Sequence, residues 1–318
     1  MSFSSDVKEE LSRVTDSEQH CRIAELSAII SLCGLVRKHA GGYGIRLQTE
    51  NVPVARRFYK LLKETFFLQP EVSVRRHDYL KKNRYYTITV RDSRAGMKIL
   101  KSTGILNNLG YIDEDRDILD NPVLQRTCCR RAFLRGAFLS AGSMTDPEKN
   151  YHFEVVCSSF EKASWVRDLF NSFDLEAKIV ERKKYYVVYM KEGSMISDAL
   201  NVMGAHVALM KFENVRILKE VRNEVNRRVN CEAANINKTV SAARKQIEDI
   251  RYIDRTVGLD SLPLSLRDVA YARLEEPEIS LKELGAGLRV PVGKSGVNHR
   301  LRKLSQIAQE IRDKGRYK

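Results

Sequence analysis

The stretch SLKELGAGLRVPVGKSGVNHRLRKLSQIA, residues 280–308, predicts two helices joined by a tight turn. Ser280 and Glu283 have the spacing of a capping box, in which each side chain bonds to the backbone N–H of the other residue. The leucines that follow recur at helical spacing and give the first helix one buried stripe. Gly287 weakens the end of this helix and Pro291 cannot continue it, so the chain is expected to turn there.

The second helix of this stretch is expected to begin near Lys294 or Ser295 and to be amphipathic. Its predicted buried residues are Val297, Leu301, Leu304 and Ala308. Its other faces carry polar and basic side chains: Lys294, Asn298, His299, Arg300, Arg302 and Lys303. A DNA-recognition helix requires this division, because one stripe packs on neighbouring helices while exposed donors reach bases and phosphates. An ordinary solvated three-helix module with a basic face is the alternative interpretation.

The position of each side chain along the second helix predicts its contact with DNA. We expect Asn298, His299 and Arg302 to reach base edges, since they lie in the early turns of the helix. The expected phosphate contacts are Lys294, Ser295, Arg300 and Lys303. Ser280, at the start of the first helix, is a further expected DNA contact. His299 has an alternative role in helix packing, because it lies beside predicted core residues.

The charge of the chain indicates a polyanionic partner. Lys and Arg exceed Asp and Glu by 14 in 318 residues, and half of this excess lies in residues 289–318. Nucleic acid is the first partner expected for such a chain, and an anionic membrane surface is the second. No apolar run approaches the roughly 20 residues needed to span a bilayer, and the charged start MSFSSDVKEELSRV does not resemble a signal peptide. A cytoplasmic, nucleoid-associated protein without a membrane partner is therefore expected.

Six cysteines are scattered through the chain, and their spacing predicts no metal site. Cys128 and Cys129 are adjacent, whereas the others stand apart: Cys21, Cys33, Cys157 and Cys231. The chain has no CxxC motif, and no histidine lies at zinc-site spacing to a cysteine. We therefore expect free thiols in a reducing cytoplasm, with no structural zinc and no cofactor.

An internal repeat organises the first two thirds of the chain. Elements in the order α, β, α, β, β, α are predicted at residues 21–36, 41–50, 54–67, 72–76, 85–92 and 93–100. The order begins again about 100 residues later, at residues 128–144, 151–159, 162–173, 177–183 and 185–193. The tyrosine pairs at 85–86 and 185–186 open equivalent strands. One duplicated α+β domain is predicted.

The apolar helix that starts each repeat is rich in small residues, so two such helices can approach closely about a pseudo-twofold axis. The small residues are Ala24, Ser27, Ala28, Gly34, Gly136, Ala137, Ser140, Ala141 and Gly142. Over residues 21–208 this arrangement resembles the LAGLIDADG homing endonucleases. LSAIISLCG at 26–34 and LRGAFLSAG at 134–142 match the nine-residue signature in hydrophobicity and final glycine. The resemblance implies a duplicated αββαββ fold of the α+β class.

The chain differs from that signature at the positions that bind the catalytic metal in the endonucleases. In active members the penultimate signature residue is an acid that binds Mg²⁺. Here the penultimate and sixth residues are neutral: Cys33, Ala141, Ser31 and Leu139. Neutral side chains are poor ligands for a hard divalent cation, and without the metal nothing activates the attacking water. We therefore expect no catalytic residue, no metal and no nuclease activity. Residual metal-dependent cleavage is the alternative, with Asp146 and Glu148 as the nearby acids.

A charged helical linker is predicted at residues 213–229, between the duplicated domain and the helix-turn-helix domain. A separate helix is expected after Asn235, Asn237 and Lys238. These three residues either cap that helix or place its N-terminus where it can meet a phosphate. Ser265 is expected to cap the first helix of the helix-turn-helix.

Over essentially its whole length the sequence resembles the bacterial WhiA family. The motifs that carry this resemblance are NCEAANINKTV, LP, SLKELG and SGVNHRLRKL, at 230–240, 262–263, 280–285 and 295–304. The resemblance implies a degenerate LAGLIDADG-like domain at 1–212, with pseudo-repeats at about 21–110 and 128–208, and an all-α helix-turn-helix domain at 230–318. It also implies a regulator of transcription involved in cell division, chromosome segregation and, in sporulating relatives, sporulation. A small WhiB-type iron–sulfur regulator is the partner expected in actinobacterial relatives.

The residues by themselves indicate a sequence-selective binder of double-stranded DNA. An RNA-binding protein is the alternative, because a basic α+β surface also suits recognition of RNA by shape. The chain contains neither an RNP-like motif nor a GXXG motif. We therefore expect duplex DNA to be the preferred partner.

Overall fold

The computed structural model describes residues 2–15, 18–39, 41–76, 84–107, 109–112 and 118–315. The chain divides into two units, residues 1–219 and 220–318. Within the described ranges no helix combines the length and the apolar content needed to cross a bilayer.

The first unit contains two repeats that follow an N-terminal helix, α1 (Phe3–Arg13). The elements of the first repeat are α2 (Gln19–Cys33), β1 (Gly34–His39), β2 (Gly42–Thr49), α3 (Val52–Phe66), β3 (Glu71–Arg76), β4 (Arg84–Val90) and α4 (Ser93–Ser102). Those of the second repeat are α5 (Thr127–Ala141), β5 (Gly142–Met144), β6 (Phe153–Cys157), α6 (Phe160–Asn171), β7 (Lys178–Arg182), β8 (Tyr185–Met190) and α7 (Gly193–Met203). The duplicated αββαββ pattern implied by the family resemblance is confirmed.

A strand that the residue pattern does not predict follows the apolar helix in each repeat. The predicted helices at 21–36 and 128–144 end earlier, at Cys33 and Ala141, and β1 and β5 begin at Gly34 and Gly142. The reason is steric, because a Cβ on Gly34 would lie 2.5 Å from the carbonyl oxygen of Ile30. These glycines therefore shape the exit from each helix.

The two sheets share one topology. Their strand orders are β1-β2-β4-β3 and β5-β6-β8-β7, and every neighbouring pair is antiparallel. Thr49 pairs with Tyr86 in the first sheet, and Cys157 pairs with Tyr186 in the second. The helices that follow these strands have equivalent caps, since Asn51 and Ser159 each accept from a backbone N–H three residues on. The predicted equivalence of the two tyrosine pairs is confirmed.

The two repeats join through the pairing of α2 with α5. Ala24, Ala28 and Ala137 are buried in the first unit, and a Cβ added to Gly136 would lie 2.6 Å from the carbonyl oxygen of Glu25 and 3.0 Å from the Cβ of Ala28. Only a glycine permits this approach of the backbones. The predicted close contact between the small-residue helices is confirmed.

A buried carboxylate with two guanidinium partners lies at the same contact. Glu25 is fully buried, and its carboxylate accepts from Arg57 Nε at 2.7 Å and Arg57 Nη2 at 2.6 Å. Arg135, on the facing helix, donates its Nε to Glu25 at 3.2 Å. Removal of one member of a buried ion pair typically costs about 3–5 kcal/mol, because the remaining charge stays buried without compensation. The network therefore fixes the register of α2 against α5.

The second unit is helical, and α8 (His206–Val257) contributes to both units. It is followed by α9 (Leu264–Glu275), α10 (Leu281–Ala286) and α11 (Lys294–Gly315). The predicted separation into a linker helix and a new helix after Lys238 is wrong, because α8 is continuous through both segments. Pro263, and not Ser265, is the N-cap residue of α9. Proline at this place suits a helix start, since its φ is already restricted.

We predict that Gly136→Ala lowers the free energy of unfolding by about 1–3 kcal/mol, because the added methyl group overpacks the contact with Glu25. Gly193→Ala is the matched control, since its Cβ would meet only the flexible side chain of Arg216 and an aromatic edge at 3.2 Å or more. Urea unfolding followed by circular dichroism measures both variants. Equal stability of the two variants would rule out the close helix contact.

Candidate nucleic-acid interface

Helices α9, α10 and α11 enclose a core of their own with the C-terminal part of α8. The buried residues of this core are Ile250, Ile253, Leu259, Leu266, Val269, Ala270, Leu284, Leu288, Val297, Leu301, Leu304 and Ala308. All four residues predicted for the buried stripe of the second helix are among them, and α11 begins at Lys294 as predicted. Burial of one stripe leaves the opposite face of α11 available to a partner.

The turn between α10 and α11 depends on a glycine that the spacing did not indicate. The backbone N–H of Val292 donates to the carbonyl of Gly285 at 3.0 Å. A Cβ at Gly285 would collide with the carbonyl oxygen of Val292. Gly287, which was predicted to end the helix, is its C-cap residue and has an ordinary right-handed conformation. The close approach at Gly285 therefore sets the path of the chain into α11.

The capping box at the start of α10 is confirmed. The Ser280 hydroxyl accepts from the Glu283 backbone N–H at 3.3 Å, and the Ser280 N–H donates to the Glu283 carboxylate at 3.2 Å. Hydrogen bonds that the Ser280 side chain and the Ser280 backbone N–H donate to the carboxylate lower the pKa of Glu283, because they favour its ionised form. Ser280 is exposed at the start of α10.

Two arginines fix the helices that carry α11. Arg273 is buried, and its Nη1 donates to the carbonyl oxygens of Pro277 and Ile279, at 3.3 and 2.9 Å. Burial also lowers the pKa of Arg273. The guanidinium of Arg312 lies 2.9 Å from the buried carboxylate of Asp249 and 4.7 Å from the ring centroid of Tyr252. Arg273 and Arg312 are therefore not candidate DNA contacts, because they stabilise the packing of these helices.

The candidate DNA contacts of α11 divide by exposure. Five are exposed: Lys294, Ser295, His299, Arg302 and Lys303. Asn298 and Arg300 are half-buried. Since successive residues turn by about 100° in a helix, Ser295, His299 and Arg302 lie on the face opposite the core. The alternative packing role for His299 is wrong, because its side chain is exposed.

The asparagines of α8 do not form a helix terminus. Asn235, Asn237 and Lys238 lie within α8 and are exposed. The N–H groups of an internal helical turn are bonded to carbonyls of the preceding turn, so they cannot hold a phosphate. Both roles predicted for these residues, a helix cap and an anion site at a helix start, are therefore wrong.

The outward face of the first sheet carries a second group of basic side chains. Arg37, Arg46 and Arg75 line the same part of this face, and Arg46 alternates along its strand with buried residues. The Nε of Arg46 is buried and has no hydrogen-bond partner among the described residues. In the second sheet, the position equivalent to Arg46 is Glu154, which accepts from Ser143 at 2.9 Å. The two repeats thus present opposite charges at the same place in the fold.

The positions equivalent to the endonuclease acids have no carboxylate. Cys33 and Ala141 are the last residues of α2 and α5, and both are half-buried. The Cys33 thiol donates to the carbonyl oxygen of Ile29 at 3.2 Å. Asp146 and Glu148 are exposed in the loop after β5, where the Asp146 carboxylate accepts from the Glu148 backbone N–H at 3.0 Å. The Asp146 carboxylate therefore stabilises its own turn.

Three family models match the chain. They describe a WhiA N-terminal LAGLIDADG-like domain at residues 19–106, a WhiA LAGLIDADG-like domain at 130–222 and a WhiA C-terminal HTH domain at 225–308. The chain thus contains both parts of the predicted architecture.

Related proteins cover the whole chain. A protein of Lachnoclostridium phytofermentans, named probable cell division protein WhiA, is 51% identical over 98% of this chain and 100% of its own. One of the same name from Alkaliphilus metalliredigens is 47% identical over 99% of each chain. The crystal structure of full-length DUF199/WhiA from Thermatoga maritima aligns with a TM-score of 0.59 and 29% identity, over 98% of this chain and 99% of that chain. The chain belongs to the WhiA family.

Proposed function

We propose that this chain binds double-stranded DNA sequence-selectively and that α11 enters the major groove. The observation that carries this proposal is the division of α11 into a buried apolar stripe and an exposed face with Ser295, His299 and Arg302. The major groove is wide enough to admit a helix, and its base edges are read by side chains of this kind. The match of residues 225–308 to an HTH domain supports the same function.

The exposure of the side chains suggests a role for each. His299 and Arg302 are placed to reach base edges, and Asn298 lies at the flank of the same face. Lys294, Ser295, Arg300 and Lys303 are proposed to contact phosphates, together with Ser280 at the start of α10. The arginines on the outward face of the first sheet add positive charge that favours a polyanionic partner.

The biological role proposed here is that of a transcription regulator in cell division. The name of the relatives supports cell division, and the HTH domain supports regulation at DNA. Chromosome segregation and, in sporulating relatives, sporulation are the processes that such a regulator would control. A nucleoid-associated location and a WhiB-type partner in actinobacterial relatives belong to the same proposal.

We further propose that the first unit has lost nuclease chemistry. The residues Cys33 and Ala141 are neutral, and a lysine lies close to Cys33. Lys8 on α1 is close enough for its charge to act on the Cys33 thiol, and its Nζ lies 5.9 Å from the ring centroid of Phe138. At neutral pH the Lys8 ammonium is mostly charged, since its pKa is about 8, and a positive charge at this place repels the divalent cation that cleavage would require.

The first prediction concerns DNA recognition. For a duplex obtained by selection with the full chain, Arg302→Ala is expected to cost about 1–3 kcal/mol of binding free energy and to relax specificity. Lys303→Ala is expected to weaken binding to specific and scrambled duplexes alike and to lower the salt slope by about one unit. Fluorescence titration at two salt concentrations measures both effects.

Lys245→Ala is the control for this titration, because Lys245 is exposed on α8, away from α11 in sequence. The affinity of the Lys245→Ala variant for the duplex should equal that of the wild-type chain. Wild-type affinity of the Arg302 and Lys303 variants would contradict the proposed recognition helix. Stronger binding to an RNA hairpin than to the selected duplex would favour the RNA alternative.

The second prediction concerns cleavage. Supercoiled plasmid and the selected duplex should stay intact when they are incubated with the purified chain and Mg²⁺ or Mn²⁺. The reason is that no acid lies at Cys33 or Ala141 to hold the ion. Gel electrophoresis measures the products, with a chelator as the control. Cutting that the chelator abolishes would show that metal-dependent chemistry persists.

The third prediction concerns Lys8. Burial lowers its pKa from 10.5 to about 8, so between these values the unfolded chain binds more protons than the folded chain, and stability rises with pH. Lys8→Met removes the buried charge and should raise the free energy of unfolding by about 1–3 kcal/mol at pH 7. This gain should shrink as the pH approaches 10, where the wild-type lysine is neutral.

Lys98→Met is the control for this comparison, since Lys98 is exposed on α4. Urea unfolding of wild type and both variants at pH 7 and pH 10 gives the difference directly. A gain for Lys8→Met that is the same at both pH values would show that the charge of Lys8 is not its cause.

A further inference from the structure

Four side chains with metal-ligating atoms converge at the N-terminal ends of α2 and α5. They are His20, Cys21, Cys128 and Cys129, and their ligand atoms all lie within 4.8 Å of one another. The neutral positions Cys33 and Ala141 lie at the other ends of the same helices. This cluster is therefore separate from the degenerate nuclease positions.

The cluster has the pseudo-symmetry of the fold. His20 and Cys21 are the second and third residues of α2, and Cys128 and Cys129 are the second and third residues of α5. Each helix thus supplies two ligands from its first turn. The spacing of the cysteines along the chain predicted no metal site, because the four residues come together only when α2 packs on α5.

The distances in the cluster fit a four-coordinate ion. Nδ1 of His20 lies 3.2 Å from Sγ of Cys129 and 3.3 Å from Sγ of Cys21. Around a tetrahedral zinc ion, with Zn–S of about 2.3 Å and Zn–N of about 2.0–2.1 Å, ligand atoms are about 3.5–3.8 Å apart. An ion could enter with displacements of only a few tenths of an ångström for this imidazole and these two thiols.

The surroundings of the cluster suit a metal–thiolate centre. Nε2 of His20, the nitrogen that faces away from the thiols, lies 3.8 Å from the carboxylate of Glu18. A carboxylate behind a histidine is the usual partner that orients a metal-binding imidazole. Burial is the largest influence on the Cys129 thiol and raises its pKa, and the nearby guanidinium of Arg126 and the positive ends of α2 and α5 oppose this rise.

We propose that His20, Cys21, Cys128 and Cys129 form a structural zinc site that joins the two repeats. Three thiolates and one imidazole complete a tetrahedral shell, so the ion has no open position for a substrate. Binding releases the thiol protons to solvent, which makes the affinity rise with pH. Cys21 and Cys129 are buried, whereas Cys128 is exposed, so the ion enters from the side of Cys128.

The test is the zinc content and zinc affinity of the full-length chain, purified under reducing conditions. Wild type is expected to carry one zinc per chain by elemental analysis and, when loaded with Co²⁺ instead, to show the absorption bands of tetrahedral cobalt–thiolate. Cys129→Ser and Cys128→Ser should both lose the metal. The exposed position of Cys128 makes its variant the one least able to disturb folding.

Two further variants distinguish an effect on the proposed zinc site from a general effect of substitution on the protein. Glu18→Gln keeps all four ligands and should weaken zinc binding by roughly 10–100-fold, because it removes the partner of the His20 ring. Cys231→Ser is the matched control, since Cys231 is an exposed thiol on α8 and should have no effect.

Four results would overturn the proposal. One is a reduced wild-type chain that takes up no zinc. Another is loss of zinc in Cys231→Ser equal to that in Cys128→Ser. The third is a disulfide between Cys21 and Cys129 that mass spectrometry finds in place of bound metal after purification with reductant. Retention of zinc by the Cys128 and Cys129 variants would place the ion elsewhere in the chain.

Discussion

The contact between α2 and α5 is the constraint on which the first unit depends. Neither apolar helix could bury its surface within its own repeat, and the absence of a side chain at Gly136 lets the two backbones meet. The carboxylate of Glu25 then accepts from Arg57 of its own repeat and from Arg135 of the other. Small residues set the distance between the helices, and the buried ion pairs set their register.

The two repeats share this frame but differ in the side chains that it carries. α2 and α5 both end before a glycine at which the chain turns into a strand, and their last residues, Cys33 and Ala141, are neutral. The two sheets keep one topology, yet Arg46 and Glu154 reverse the charge at equivalent places. Backbone requirements and site chemistry are therefore separable in this fold. The second unit, with a core of its own, carries the surface proposed to read DNA.

Periodic features of the chain could be predicted from the sequence. The buried stripe of α11, the capping box at Ser280 and the duplication all follow from local spacing, which the structure confirms. Continuous α8 could not be predicted, because its middle is exposed on all sides and shows no buried stripe that marks a helix. Glu25 offered one signal in the sequence, because it is an acidic residue that directly precedes the apolar run of α2. The cluster of one histidine and three cysteines gave no signal in the sequence, because its members come from different repeats.

The proposed reading of DNA by α11 is tested most directly by cross-linking from the helix itself. A photoreactive amino acid would replace His299 in the full chain, and a second chain would carry it at Phe67, which is 88% exposed on the first unit. After irradiation with the selected duplex, we predict a covalent adduct to bases from position 299 and none from position 67. Adducts that form from position 67, with none from position 299, would contradict recognition by α11.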